Sequence, residues 1–280
     1  MTRALVPLRN ALKAWLLVIG ICAVFGFAGW ALGEFRVASV FVFCGLLLAV
    51  AAYWYSDRVA MAMVGARELL PGEAPALHSA VERLAARAGV VKPRLYVISK
   101  GPLLALAAGR GPSSSSLAVS AGLMTVPAPG EVDGVLAHEL AHVRNRDVLV
   151  QTTVVVLAAA LVEASRLGGW LERALLFVLA PIASAFVHVL LSPKREFEAD
   201  RLAADICESP HGLADALIRL EQASELVEFQ ASPATEPLYT INPFIEEGLA
   251  ALFVTHPPAS ERVRRLRDMD PAWREKLRAA

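Results

Sequence analysis

The sequence predicts a mainly α membrane protein: four transmembrane or membrane-entering helices, plus a cytoplasmic α+β part with a small sheet. Three observations lead there. Of 280 residues, 56% are hydrophobic and only 19% charged, and mean hydropathy is +0.50, more apolar than an ordinary soluble domain. Four apolar segments punctuate the chain, none of them holding an Asp, Glu, Lys or Arg. The intervening sequence changes to amphipathic helical spacing and one short run of β-forming residues.

Residues 14–33 are an uncharged run of 20 and residues 37–55 one of 19. At about 1.5 Å rise per residue, each covers a hydrocarbon core of about 30 Å. Only Glu34, Phe35 and Arg36 separate them, so they read as an antiparallel hairpin. Trp15, Trp30, Tyr53, Trp54 and Tyr55 fall near the ends, where amphipathic rings prefer the headgroup zone. Arg3, Arg9 and Lys13 precede the first run, but it is too long for a signal-peptide core and meets a second span at once. Residues 148–162 and 174–192 are weaker candidates, the latter with Pro181 and His188 inside. They read as a second membrane hairpin or as buried helices of a soluble unit. With four spans, the basic N-terminus and Lys194, Arg195 and Arg201 share one side, the cytoplasmic side by the excess of cations. The organisation is then a hairpin at 14–55, a cytoplasmic part at 56–147, a second hairpin at 148–192 and a cytoplasmic C-terminal part at 193–280.

Lys+Arg and Asp+Glu balance at 27 each, which gives no basic footprint for nucleic acid. Cys22, Cys44 and Cys207 are odd in number and scattered, so neither a disulfide framework nor a thiolate metal site is implied. Leu77, Val81 and Leu84 have helical spacing over 76–88, with Pro75 at the start and Gly89 as the stop. Leu95-Tyr96-Val97-Ile98 reads as a strand. Gly109, Gly111, Pro112 and Ser113 to Ser116 read as a flexible turn, and Leu117 to Ser120 as the returning strand. Glu131 opens a further helix; 194–207, 213–228 and 259–269 are helical, and 232–243 is loop-like.

The chemistry sits in Val135-Leu136-Ala137-His138-Glu139-Leu140-Ala141-His142-Val143. Residues four apart share a helical face, so His138 and His142 can turn both imidazoles toward one ion. Glu139 lies beside that stripe, within reach of a water that the ion acidifies. The competing reading is a buried helix with two hydrogen-bonded histidines, which leaves the charge of Glu139 unexplained. A catalytic metal needs a third protein ligand. Glu196 and Asp200, four apart after the fourth apolar segment, share a face; one can bind metal while the other orients a histidine. The alternative for them is a solvated acidic face beside Lys194, Arg195 and Arg201.

Three motifs in this order resemble the HtpX family of integral-membrane zinc proteases, relatives of the CAAX prenyl endopeptidases. They are His138-Glu139-Leu140-Ala141-His142 running on to Asp147, Arg195-Glu196-Phe197-Glu198-Ala199-Asp200, and Thr255-His256-Pro257-Pro258 followed by Glu261-Arg262. The resemblance runs from the N-terminal hairpin to the last helix. It implies one Zn(2+) per chain on His138, His142 and Glu196, with Glu139 as general base and Asp200 behind a histidine. It also implies His256 and Arg262 as catalytic neighbours, where they could stabilise an oxyanion or anchor the metal's surroundings. Leu117, Ala118, Val119 and Ser120 correspond to the substrate-binding sheet edge. The sequence departs from the family at Leu104-Ala105-Leu106-Ala107, where the family tends to carry Asn-Ala-Phe-Ala.

The implied activity is an endopeptidase acting on misfolded or membrane polypeptides at the cytoplasmic face of a prokaryotic inner membrane. Its partners are then those polypeptides and the lipid bilayer. A site-2-type intramembrane protease is the first alternative, and it needs an aspartate ligand near a later span, for which Asp147 is the candidate. A non-catalytic scaffold is the second. His78, His188 and His211 read as structural.

Overall fold

The computed structural model describes residues 35–99, 101–164, 191–226, 238–240 and 256–270, with isolated positions among 12–30 and at 272. The order is α1 (Phe35–Met63), β1 (Arg67–Glu68), α2 (Pro75–Ala88), β2 (Arg94–Ile98), β3 (Ala105–Gly111), β4 (Ser114–Ser120), α3 (Pro129–Asn145), α4 (Asp147–Ala164), α5 (Lys194–Cys207), α6 (His211–Leu226) and α7 (Ala259–Arg267). The protein is thus mainly helical with one small mixed sheet. Among the described residues no helix is long and apolar enough to cross a membrane. The first and fourth apolar segments, 14–33 and 174–192, lie outside the described residues except at isolated positions and at 191–192.

The sheet has the order β1-β2-β4-β3. β2 and β4 run parallel, while β1 and β3 are antiparallel to their neighbours. Side chains alternate across it, as the two-residue period of a strand requires. Leu95, Val97, Ala105, Ala107, Leu117 and Val119 enter the main core with α2, α3 and α6. Ile98, Leu106, Ala108 and Ala118 face a second cluster with Met61, Val155, Leu238 and Tyr239. The sheet therefore lies between helices on both faces, and the middle of its long strands is apolar for that reason.

Two expectations are corrected here. Ser114 to Ser116 are not a turn but the start of β4. The cause is tertiary: Ser116 is fully buried and its hydroxyl donates to Asp57 of α1 at 3.2 Å, while Asp57 also pairs with Arg94. Nor is 117–120 a sheet edge. Leu117, Ala118 and Val119 pair with β2 on one side and β3 on the other, and Ser120 pairs with Ile98. The edge strands are β1 and β3, and Leu106 on β3 bridges antiparallel to Tyr239.

α3 is the centre of the molecule, with every residue from Gly134 to Val143 buried. Glu131 begins it: its carboxylate accepts from the Ala128 N–H at 2.7 Å and from both Nε and Nη2 of Arg219 at 3.0 Å. Gly134 lets α6 approach, because a Cβ there would sit 2.5 Å from the Leu213 nitrogen. α2 ends at Gly89, whose φ of 71° gives the left-handed cap that the sequence calls for.

Candidate active site

α3 carries His138 and His142 on one face, and α5 packs across that face carrying Glu196. All three are buried, and one ligand atom from each lies within 4.8 Å of the others. The triangle is tighter than that bound. His138 Nε2 is 3.1 Å from His142 Nε2, Glu196 Oε2 is 3.4 Å from His138 Nε2, and Glu196 Oε1 is 3.6 Å from His142 Nε2. Tetrahedral ligands at zinc–nitrogen distances of about 2.0–2.1 Å stand about 3.3 Å apart. The donor set fits such an ion, and so does the chemistry: Glu196 Oε2 is buried with no hydrogen-bond partner among the described residues.

Each imidazole is held from behind. Asp200 Oδ1 lies 3.0 Å from His138 Nδ1, and Asp147 Oδ2 lies 3.0 Å from His142 Nδ1. These contacts fix the ring planes and leave both Nε2 atoms for the ion. Asp147 on the Nδ1 side of His142 is not where the aspartate ligand of a site-2-type protease would stand. Asp200 is gripped by Arg262 of α7, through Nε at 2.9 Å and Nη2 at 2.7 Å. Arg262 Nη1 donates to the Thr240 carbonyl at 2.5 Å, so all three guanidinium nitrogens are engaged. Arg195 reaches Glu196 Oε1 through Nε at 3.2 Å and Nη2 at 3.1 Å, and is buried rather than solvated. His256 is nearly buried, with Nε2 3.6 Å from Glu196 Oε2.

Burial opposes charge throughout, yet the partners win. For Glu196, burial pushes the pKa up, but His256, His142 and His138 hold it well below the ordinary value. Burial likewise opposes Asp200, which Arg262 and His138 bring down to about 2. Burial opposes protonation of His142, but Glu196 and Asp147 raise its pKa to about 10. A metal must therefore displace a proton from His142 at any pH below about 10. With the carboxylates already ionised, affinity is expected to rise about tenfold per pH unit between about pH 6 and about pH 8. Competition against a chelator of known pH dependence measures that slope, and a flat profile would contradict the proton count.

Glu139 is 2% exposed, and Thr240 donates its hydroxyl to Glu139 Oε1 at 2.7 Å. Thr240 arrives on the 238–240 segment that lies against β3, an edge strand. The structure thus brings together His138, Glu139, His142, Glu196, Asp200, His256 and Arg262, but not residues 117–120 in the role expected of them. Thr240 is an addition, and Asp147, weighed in the sequence only as a ligand of a site-2-type protease, instead holds His142. Asp147 had a local signal, a carboxylate five residues past the second histidine where α3 ends; Thr240, in a loop about a hundred residues from Glu139, had none. Asp147→Asn is expected to weaken metal binding about 10–100-fold with the fold intact. Metal titration of the purified variant checks this.

Residues 71–270 match Peptidase family M48. The chain belongs to that family. A "Protease HtpX homolog" of Pelotomaculum thermopropionicum is 37% identical over 93% of this chain and 99% of its own length. Those of Persephonella marina and Pyrococcus abyssi are 35% and 37% identical, over 93% and 90% of this chain and 97% and 90% of their own lengths. A fold comparison finds the crystal structure of S. mikatae Ste24p, at 17% identity and TM-score 0.49, covering 93% of this chain and 66% of that one. As an M48 peptidase the protein is a metalloprotease, and its substrates are polypeptides. The HtpX resemblance read from the three motifs is borne out.

Proposed function

We propose that this M48 peptidase is a zinc-dependent endopeptidase, anchored in a membrane, that cleaves misfolded or membrane polypeptides at the cytoplasmic face. The observation that carries the reading is the buried triangle of His138 Nε2, His142 Nε2 and Glu196, with edges of 3.1–3.6 Å. Zinc held by His138, His142 and Glu196 would supply Lewis acidity that makes a water nucleophilic near neutral pH. Glu139 takes the proton of that water as its oxygen bonds to the carbonyl carbon. It returns the proton to the amide nitrogen as the C–N bond breaks. The Thr240 hydroxyl holds one Glu139 oxygen and leaves the other for this exchange. Asp200 and Asp147 keep the two histidines in register, and Arg262 anchors Asp200 rather than facing an oxyanion. His256, beside Glu196, is the donor placed to meet charge developing on substrate. An extended substrate would add to β3, the sheet edge nearest the Thr240 segment.

Membrane placement is supported by the uncharged runs 14–33 and 37–55. On α1, Phe35, Val40, Phe43, Leu47 and Trp54 are each more than half exposed, a face that lipid would cover. The proposed division is the hairpin at 14–55, the second at 148–192, and peptidase parts at 56–147 and 193–280. The test is cleavage of unfolded casein by the detergent-purified protein. Activity should track one bound zinc per chain, vanish with a chelator and return with zinc. Cleavage that survives complete metal removal would sink the reading.

A further inference from the structure

A cavity of about 810 Å³ lies between the C-terminal half of α1 and the β3–β4 hairpin, sharing no lining residue with the metal-ligand cluster. Its wall changes character along its length. Leu47 and Val50 line one end, within the uncharged run, and Arg58, Lys92, Arg94 and Arg110 line the other. From Leu47 to Arg58 α1 rises about 16 Å, with Trp54 and Tyr55 between them.

The cations are not equally committed. Arg94 is neutralised by buried Asp57, and Lys92 pairs with Glu82 at 3.0 Å. Arg58 and Arg110 have no carboxylate partner among the described residues. Arg110 instead lies 4.4 Å over the Trp54 ring and donates to the Ser114 hydroxyl at 2.9 Å, while Arg58 lies 6.0 Å from the Tyr55 centroid. Stacking orients a guanidinium and leaves its N–H edge for an anion.

We propose that this cavity binds an anionic phospholipid, its phosphate between Arg58 and Arg110 and its acyl chain along Leu47 and Val50. The assignment rests on the membrane placement proposed above. A free phosphate would use the cationic end and leave the apolar wall bare; a lipid uses both, with Trp54 and Tyr55 at the boundary where such rings settle.

The test titrates the full chain, in an uncharged detergent, with phosphatidylglycerol, phosphatidylcholine or inorganic phosphate, counting adducts by native mass spectrometry. Phosphatidylglycerol should bind about tenfold more tightly than phosphatidylcholine. Arg58→Gln with Arg110→Gln should lower that binding about 25-fold, from about fivefold for each cation near a lipid surface. Unchanged casein cleavage in detergent shows that this variant folds. Equal binding of the two lipids, or phosphatidylglycerol binding indifferent to the double substitution, would overturn the site. Displacement of the lipid by an equal concentration of inorganic phosphate would overturn the lipid assignment. Alkaline carbonate extraction tests the anchor separately: release of the chain would overturn the membrane placement, while the detergent titration still reads the site.

Discussion

Glu139→Gln is expected to lower kcat for casein cleavage about a thousandfold while the protein keeps its bound metal. The metal stays because His138, His142 and Glu196 are untouched, and glutamine fills the same buried volume beside Thr240. What disappears is the capacity to accept and return a proton, a role worth about 10²–10⁴ in rate. Metal content and steady-state rates on the same preparation separate the two effects. A variant as active as the wild type would remove Glu139 from the base role; one that lost its metal would make Glu139 part of the binding site instead.

The largest effect on stability is expected at Arg262. It is 1% exposed, and its removal leaves Asp200 charged at 4% exposure with only His138 beside it. Breaking a buried pair from one side costs about 3–5 kcal/mol. Arg262→Met should therefore lower the thermal midpoint in detergent sharply, and weaken metal binding through the loosened His138 ring. Replacing both partners, as Arg262→Met with Asp200→Asn, should restore much of the stability but not the orientation of His138. A single variant no less stable than the wild type would mean that water reaches Asp200 and the clamp is dispensable.

The helix bearing His138 and His142 was legible because a four-residue spacing needs nothing beyond the helix itself to bring two rings together. The third ligand was legible only through the order of motifs that carries the family resemblance, not from the spacing. Glu196 and Asp200 share a face of α5, and only the way that helix crosses α3 decides which carboxylate meets Nε2 and which meets Nδ1. The sheet edge failed for a related reason. The composition of 117–120 reveals a strand, but not whether both its sides are paired, and here β2 and β3 occupy them. The serine run misled because its polarity looks solvated until Asp57, from α1, arrives to accept from Ser116. Thr240 reaches Glu139 only through tertiary folding.

The order of these parts along the chain also times the enzyme's birth. His138 and His142 leave the ribosome well before Glu196, and Arg262 follows later still. A nascent chain that has made only α3 holds two ligands and a base without a third donor or a clamp. Such a chain lacks the complete ligand set: the triangle can close only once α5 has been made, and the clamp on Asp200 only once α7 has.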